Sequence, residues 1–419
     1  MNRRISIGTA VTFAILLVTL TFVVTMVYSI RSFSNKVNTL NEREAMYKKY
    51  SELDRIVRQN YFGAIDETAL MDAVSAGYLG GIGDNYSRYF SASQYADIMQ
   101  KNSGKTVSIG IEASVTPDGY ILVTDVYPDS SAESAGFLKG DLIVNVDGAN
   151  VTADNAAGLI ASFTGDAGTK VTLTRRSNGE DTALELTRRS VEIPVVTSKM
   201  LAGDGIAIVT IKEFGDTAPA QFVKTVDQLI AQGVKGFIFD VRNNPGGTIP
   251  SVCKILDELL PAGPIATATT KDGVTSVLGV SDDNEINLPM AVMVNQKTAS
   301  SAELFAQALS DYQKAKIVGV STLGKGVMQE IFKLSDGSAV ELTVAKFFSP
   351  SGINFTETPV KPDYEVKTTL DQDIAGALDI INDIQLQKAI EVERALVLSS
   401  IDSASQQDSQ AASQETAAQ

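Results

Sequence analysis

The spacing of apolar side chains divides the chain into stretches with different periods. From about residue 37 to residue 100, apolar positions recur at steps of three and four, as at Leu53, Ile56 and Val57, and this predicts helices. Gly80-Gly81 interrupts the pattern with a turn signal. We identify no chemistry in this region and interpret it as a helical bundle or a dimerising arm.

Between about residues 104 and 190 the pattern changes to short strands separated by turn residues. Pro117-Asp118-Gly119 separates strand 109–115 from strand 120–126, and Asn178-Gly179 marks a second tight hairpin. Short helical stretches near 131–136 and 153–163 lie between the hairpins. The region is therefore predicted to be a β-rich domain.

From about residue 204 largely apolar runs alternate with amphipathic stretches. Such runs are typical of parallel strands buried on both faces, and the alternation predicts an α/β core. The predicted strands are 205–211, 236–241, 289–295 and 316–320, the predicted helices are 218–231, 250–260 and 301–314, and a closing hairpin turns at Asp336-Gly337.

The two ends of the chain have distinct compositions. Residues 5–30 are 26 consecutive uncharged positions preceded by Arg3 and Arg4, which predicts a membrane-spanning helix with the remainder of the chain outside the cytoplasm. A cleaved signal peptide is the alternative, although no small-x-small cleavage site follows the apolar run. Residues 370–398 have helical periodicity, and the Ser-, Gln- and Ala-rich tail from Ser399 is predicted to be disordered.

These patterns give a predicted domain organisation. The order is a cytoplasmic stub and transmembrane anchor at 1–36, a helical region at 37–100, a β-rich domain at 101–190, an α/β core at 191–369, a C-terminal helix at 370–398 and a tail at 399–419.

Composition excludes several classes of function. The net charge of −15 argues against a nucleic-acid-binding surface, which needs clustered basic residues. The chain has no histidine and a single cysteine, Cys253, so a Ser-His-Asp triad, a Cys-His pair and a His-ligated zinc site are all excluded. Cys253 lies at an apparent helix start and is interpreted as a small core residue.

Three segments could carry chemistry. Ser300, with Glu303 three residues later, opens a helix, so the pair is either a capping box or a nucleophile beside free backbone N–H groups. Lys325 lies between two glycines, and the absence of Ser or Thr after it excludes a phosphate-binding loop. Gly246-Gly247 follows a buried strand, where a backbone N–H could face a developing negative charge.

The ordered set of motifs resembles the carboxyl-terminal processing peptidases, or tail-specific proteases, over roughly residues 51–366. The matching motifs are Asp240-Val241-Arg242-Asn243-Asn244-Pro245-Gly246-Gly247, Thr298-Ala299-Ser300-Ser301-Ala302-Glu303, Gly324-Lys325-Gly326-Val327-Met328-Gln329, Phe348-Ser349-Pro350-Ser351-Gly352 and Lys361-Pro362-Asp363. The family often has Ser-Ala-Ser-Glu where this chain has Ser-Ser-Ala-Glu.

The resemblance implies the residues of a Ser–Lys catalytic site. The nucleophile lies 25 positions before the motif lysine Lys325, which gives Ser300, with Ser301 as the lesser alternative. Gln329, four positions after the lysine, is expected to orient it. N–H groups of Gly246 or Gly247 and of Ser301 are expected to form the oxyanion hole. No metal or organic cofactor is implied.

The resemblance also implies the fold and the partners. We expect a crotonase-like α/β peptidase core with a preceding or inserted PDZ domain, and helical arms at both ends. The PDZ strand near Ile109-Gly110-Ile111 is expected to bind the C-terminus of a peptide or protein substrate. The predicted function is extracytoplasmic proteolysis at a membrane, with the helical arms as a candidate dimer contact. The alternatives are a catalytically silent PDZ scaffold and a tethered structural partner of an envelope complex.

Overall fold

The computed structural model describes residues 7–177, 179–368 and 381–417. The chain divides into two units, Met1–Ala73 and Val74–Gln419. Helix α1 spans Ile7–Asn60 in the first unit, and α2, Glu67–Gly80, begins there. Arg58 near the end of α1 pairs with Glu67 at the start of α2, Nη1 to Oε1, at 2.6 Å. These helices confirm the helical pattern before residue 74.

The helices in the described part of the chain bear on the predicted membrane anchor. None of the helices there combines the length with the apolar character that crossing a bilayer requires. The predicted anchor at 5–30 begins among residues outside the described part and is not confirmed.

The β-rich region of the second unit forms its own sheet and core. The sheet has the order β3-β4-β5-β7-β8, with β6 paired to β5, and its fully buried side chains include Ile121, Phe137 and Leu173. Strands β2 and β9 pair where the chain enters and leaves this region. Its elements are β2 Lys105–Ser108, β3 Ile111–Val115, β4 Ile121–Val126, α4 Ser131–Ser134, β5 Leu142–Val146, β6 Ala149–Asn150, α5 Ala156–Ala161, β7 Lys170–Ser177, β8 Glu180–Thr187 and β9 Arg189–Glu192.

The α/β core is built on a six-stranded sheet. Its order is β10-β11-β12-β15-β16-β19, and all neighbouring pairs are parallel except the edge pair of β10 with β11. The predicted parallel sheet is therefore confirmed. Its elements are β10 Val196–Met200, β11 Ile206–Ile211, α6 Ala218–Ala231, β12 Gly236–Asp240, α7 Ile249–Asp257, β15 Met290–Val294, α8 Ser301–Asp311, β16 Ala315–Gly319 and β19 Tyr364–Glu365.

Successive side chains of the central strands face opposite layers. Phe237 and Phe239 of β12 pack with the helices α6, α7 and α8, whereas Ile238 faces the C-terminal helix α9, Ile384–Ala417. Because a strand alternates its faces with a period of two, burial on both sides requires the continuous apolar runs seen in the sequence. Cys253 lies in the first of these layers, as predicted, and burial raises the pKa of its thiol to about 11.

A second, antiparallel sheet is built from strands in separate parts of this unit and carries part of the site. Its path is β1-β18-β13-β14, with β17 paired to β18. The hairpin predicted at Asp336-Gly337 joins β17 to β18 and is confirmed. The remaining elements of this unit are β1 Arg88–Phe90, α3 Ala92–Asn102, β13 Gly263–Thr270, β14 Thr275–Ser281, β17 Val327–Lys333 and β18 Ala339–Phe348.

The C-terminal helix extends further than the sequence predicted. Helix α9 begins at Ile384 and continues to Ala417, through the tail predicted to be disordered. Residues 369–380 lie outside the described part. The tail contains no glycine or proline, and Ala, Gln and Glu are good helix formers, so a helix already nucleated by packing extends through it.

A buried ion-pair network ties the residues before this helix to the core. The Arg242 guanidinium lies between Asp240 and Asp383, with Nη2 at 2.8 Å from Asp240 Oδ2 and 2.7 Å from Asp383 Oδ2. All three side chains are at most 5% exposed. Because a buried charge needs a partner, this network fixes the end of β12, six positions before Gly246.

Candidate active site

The three predicted catalytic residues line one cavity of about 410 Å³. Ser300 is the N-cap residue of α8, whereas Lys325 lies two positions before β17 and Gln329 lies within it. The cavity is also lined by Asn102, Glu213, Gly215, Pro245, Gly247, Thr248, Ile249, Pro250, Val327, Met328, Ile331, Glu341 and Phe347. The fold thus brings together a serine, a lysine and a glutamine that the sequence separates by up to 29 positions.

Ser300 has an unusual backbone conformation. Its φ of 58° and ψ of −122° lie in a region that non-glycine residues rarely adopt. Such strain persists only where the surroundings enforce it, and it is found at nucleophiles placed on a sharp turn between a strand and a helix. The Ser300 residue remains 9% exposed, at the wall of the cavity.

Ser301, the alternative nucleophile, occupies a different environment. It is fully buried, does not line the cavity, and its Oγ has no hydrogen-bond partner among the described residues. A substrate in the cavity would therefore meet Ser300 and not Ser301, and the geometry favours Ser300.

The backbone amides predicted for the oxyanion hole are not equivalent. The Gly246 N–H donates to Asn244 Oδ1 at 2.8 Å and is already engaged. In the part of the chain that the structure describes, no hydrogen bond is made by the Gly247 N–H or by the Ser301 N–H. Of the two glycines left open by the sequence, Gly247 is the one with a free donor.

Both glycines are required by space as well as by conformation. Gly246 has φ of 104° and Gly247 has φ of 151°, both positive values that favour glycine. A Cβ on Gly246 would lie 2.9 Å from the Ala299 carbonyl oxygen and 2.9 Å from Ser300 Cβ. The backbone after β12 therefore packs directly against the candidate nucleophile.

Lys325 is partly removed from water. Burial is the largest effect on the pKa of Lys325 and lowers it, because desolvation disfavours the ammonium form. Its Nζ lies 4.9 Å from the centre of the Tyr86 ring. No hydrogen bond within the described residues joins Ser300 Oγ, Lys325 Nζ and the Gln329 amide to one another. Catalytic hydrogen bonds between such groups often form only when substrate binds.

Gln329 is oriented by neighbours on the same sheet. Its Nε2 donates to Thr343 Oγ1 at 3.2 Å and to the Val327 carbonyl oxygen at 3.4 Å. The Gln329 amide is therefore held in place at the cavity wall by β17 and β18.

Glu303 links the two catalytic segments. Its Oε2 accepts the backbone N–H groups of Ser300 and Lys325, both at 2.8 Å. Its Oε1 accepts the Thr322 hydroxyl at 2.5 Å and the Gly324 N–H at 2.8 Å. Glu303 is fully buried. The sequence identified this residue as half of a capping box, and the structure adds that it also holds the lysine loop.

The predicted peptide-binding residues lie at the end of the β-rich sheet. Ile111 begins β3, an edge strand that pairs with β4 on one side. The Ile109 N–H donates to the Phe163 carbonyl oxygen at 3.1 Å, and the Gly110 N–H donates to Ser108 Oγ at 2.9 Å. Of the three predicted residues, Ile111 is the one that belongs to a strand of this sheet.

The sequence missed the contribution of residues 84–90. This stretch lies in the region where no chemistry was identified, yet it places Tyr86 beside Lys325. Arg88 on β1 pairs with Glu341 on β18, Nε to Oε2, at 2.6 Å, and Glu341 lines the cavity. The two residues are 253 positions apart, and no local pattern relates them.

Comparisons with known proteins agree with this geometry. The model of the family described as Peptidase family S41 matches residues 205–366, and a PDZ domain model matches residues 122–176. The carboxy-terminal processing protease CtpA of Bacillus subtilis (strain 168) is 29% identical over 329 residues, which cover 78% of this chain and 70% of that protein. A probable CtpA-like serine protease of Staphylococcus aureus (strain N315) is 29% identical over 353 residues, which cover 83% of this chain and 70% of that protein.

Among solved structures, the photosystem II D1 C-terminal processing protease is similar to this chain. It shares 26% sequence identity, with a TM-score of 0.47, over 81% of this chain and 92% of its own. The family matches and the curated relatives together cover both the α/β core and the β-rich domain. The chain is a serine peptidase similar to the carboxy-terminal processing proteases, with a core that matches peptidase family S41 at residues 205–366 and a PDZ domain match at residues 122–176.

Proposed function

We propose that the protein is an extracytoplasmic endopeptidase that cleaves peptide bonds through Ser300, Lys325 and Gln329. The observation that carries the proposal is the single cavity that these three side chains line. The strained backbone of Ser300, the partly buried Lys325 and the two unengaged N–H groups of Gly247 and Ser301 support it.

The chemistry follows from these positions. Neutral Lys325 takes the proton from Ser300 Oγ, which attacks the carbonyl carbon of the scissile bond. The negative charge that develops on the carbonyl oxygen is stabilised by the N–H groups of Gly247 and Ser301. The C–N bond then breaks, and the Lys325 ammonium returns its proton to the leaving amine. Water, deprotonated by Lys325, attacks the resulting ester, and the bond between the acyl carbon and Ser300 Oγ breaks. Lys325 returns the proton to Ser300 Oγ, and the acyl half leaves as an acid that ionises to a carboxylate.

Substrate recognition is proposed to involve two sites. Apolar side chains of Ile249, Pro250, Met328 and Phe347 line the catalytic cavity and suit an apolar side chain of the substrate. The PDZ domain is proposed to bind the substrate C-terminus along the outer edge of β3, with main-chain hydrogen bonds starting at Ile111. Such binding would favour proteins with accessible C-termini.

A fluorophosphonate probe tests the catalytic proposal. The probe should label the wild-type protein and the Ser301→Ala variant, and it should not label Ser300→Ala. Peptide hydrolysis should be lost in the same variant while its circular dichroism spectrum is retained. If Ser300→Ala were labelled and Ser301→Ala were not, the nucleophile would be Ser301. Absence of labelling and hydrolysis in the wild-type protein would favour the silent scaffold.

The location is proposed from the sequence alone. Residues 5–30 would anchor the chain in the cell membrane, with the peptidase outside the cytoplasm. After expression of the full chain, alkaline extraction should leave it in the membrane pellet, and protease added outside the cytoplasm should degrade it. Recovery of the intact chain in the soluble fraction would exclude an uncleaved anchor.

A further inference from the structure

The Lys325 side chain rests on an aromatic ring. Its Nζ lies 4.9 Å from the centre of the Tyr86 ring, within the range at which a ring face attracts a cation. This attraction acts on the ammonium form alone. A ring at this position therefore stabilises protonated Lys325 relative to neutral Lys325.

The segment that carries Tyr86 is fixed to the strand behind Gln329. Ser87 Oγ accepts the Thr343 N–H at 3.0 Å, and it donates to Asp84 Oδ2. Thr343 Oγ1 in turn accepts the Gln329 amide. Asp84 and Ser87 thus hold the turn that carries the Tyr86 ring, and the hydrogen bond from Thr343 to Ser87 attaches this turn to the residue that orients Gln329.

Charged groups around Lys325 shift the balance between its ammonium and neutral forms in both directions. Glu341, Asp84 and Glu303 favour the ammonium form, and Arg88 disfavours it. Arg88 and Glu341 are themselves an ion pair, Nε to Oε2 at 2.6 Å, and they face each other across the paired strands β1 and β18. The side chain of Glu341 is 17% exposed, so its charge would act strongly on Lys325 without Arg88.

We propose that residues 84–90 form a positioning element of the catalytic site, in which the Tyr86 ring holds the Lys325 ammonium and Arg88 neutralises Glu341. Together they set the pH at which Lys325 becomes a base. The proposal rests on the function proposed above, since it assumes that Lys325 is the base. It gives a catalytic consequence to a part of the chain that precedes both the PDZ domain and the peptidase core.

The two residues should have opposite effects on the pH dependence of the rate. Without the ring, as in Tyr86→Leu, the ammonium is less stable, and the midpoint of the rise in kcat/KM should move to lower pH by roughly half to one unit. In Arg88→Met the charge of Glu341 is uncompensated, and the midpoint should move to higher pH. A second substitution, Glu341→Gln, should bring the Arg88→Met midpoint back toward the wild-type value.

Matched controls separate charge and ring effects from damage to the fold. Tyr86→Phe keeps the ring face, and Arg88→Lys keeps the charge, so both should retain the wild-type midpoint. In the Ser300→Ala protein, the Lys325 resonance in a sample with ¹³Cε-labelled lysine, assigned with Lys325→Arg, should titrate with the same shifts. That measurement does not depend on turnover.

The outcomes distinguish this inference from the proposed function. Midpoints that stay unchanged in both Tyr86→Leu and Arg88→Met, or that move in the same direction, overturn the positioning role while leaving the enzyme intact. Absence of wild-type hydrolysis and of Ser300 labelling would instead remove the proposed function. Opposite shifts, matched by the lysine titration, support the inference.

Discussion

Replacing Ser300 by glycine should inactivate the enzyme and also make it more stable than the alanine variant. Both variants lack the nucleophilic hydroxyl, so neither should hydrolyse peptide. They differ in the backbone at φ 58° and ψ −122°, a conformation that alanine tolerates poorly and glycine adopts readily.

The magnitude follows from two opposing effects. A residue held in such a sparsely populated region costs about 1–3 kcal/mol, and the strain remains in Ser300→Ala. Glycine removes the strain but loses about 0.5–1 kcal/mol through the greater freedom of the unfolded chain. Ser300→Gly should therefore exceed Ser300→Ala in free energy of unfolding by about 1 kcal/mol, within a range of about 0–2.5 kcal/mol.

Urea unfolding followed by circular dichroism measures the difference, since the chain has no tryptophan. The neighbouring position is the control: Ser301 is the first residue of helix α8 and is not among the positive-φ residues. There, glycine should be less stable than alanine, because glycine is the poorer helix former. A Ser300→Gly protein no more stable than Ser300→Ala would refute the inference that the nucleophile is strained.

Four further predictions concern the base Lys325, the Glu303 carboxylate that accepts its backbone N–H, the C-terminal helix and the PDZ domain. Lys325→Arg should be inactive at any pH, because arginine does not deprotonate in proteins. Wild-type kcat/KM should rise with pH through a midpoint below the pKa of free lysine. Near-wild-type turnover by the arginine variant would exclude a base at this position. Glu303→Gln should lower kcat at least tenfold and destabilise the fold by about 1–3 kcal/mol, because the amide NH₂ would face backbone N–H donors; steady-state kinetics and urea unfolding measure both. Burial raises the pKa of Glu393 to about 8, so the folded state keeps a proton that the unfolded state loses as the pH rises. The free energy of unfolding should therefore fall by up to about 1.4 kcal/mol per pH unit between about pH 4.5 and pH 8. A Glu393→Gln protein with the same slope would contradict this. A non-cleavable peptide with a free C-terminus should accelerate hydrolysis of a small reporter if binding at Ile111 activates the core, and inhibition or no effect would leave the PDZ domain as a substrate tether.

The sequence by itself determined the order of the domains' elements and the identity of the reacting groups. Buried parallel strands need continuous apolar runs, and helices begin at residues such as Ser300 that suit their first turn, so both are visible in local patterns. The absence of histidine excluded most hydrolase chemistry, and the 25-residue step from Ser300 to Lys325 connected the chain to its family. These features depend on residues close together along the chain.

The tertiary structure alone decided which groups meet in the site and in what state. The Gly246 N–H donates to the Asn244 side chain, whereas the Gly247 N–H makes no hydrogen bond among the described residues, and only the folded backbone shows this difference. The pairing of Arg88 with Glu341 across 253 positions follows from the register of β1 on β18. Packing brings such residues together from distant parts of the chain, and burial lowers the pKa of Lys325; neither effect leaves a periodic signal in the sequence.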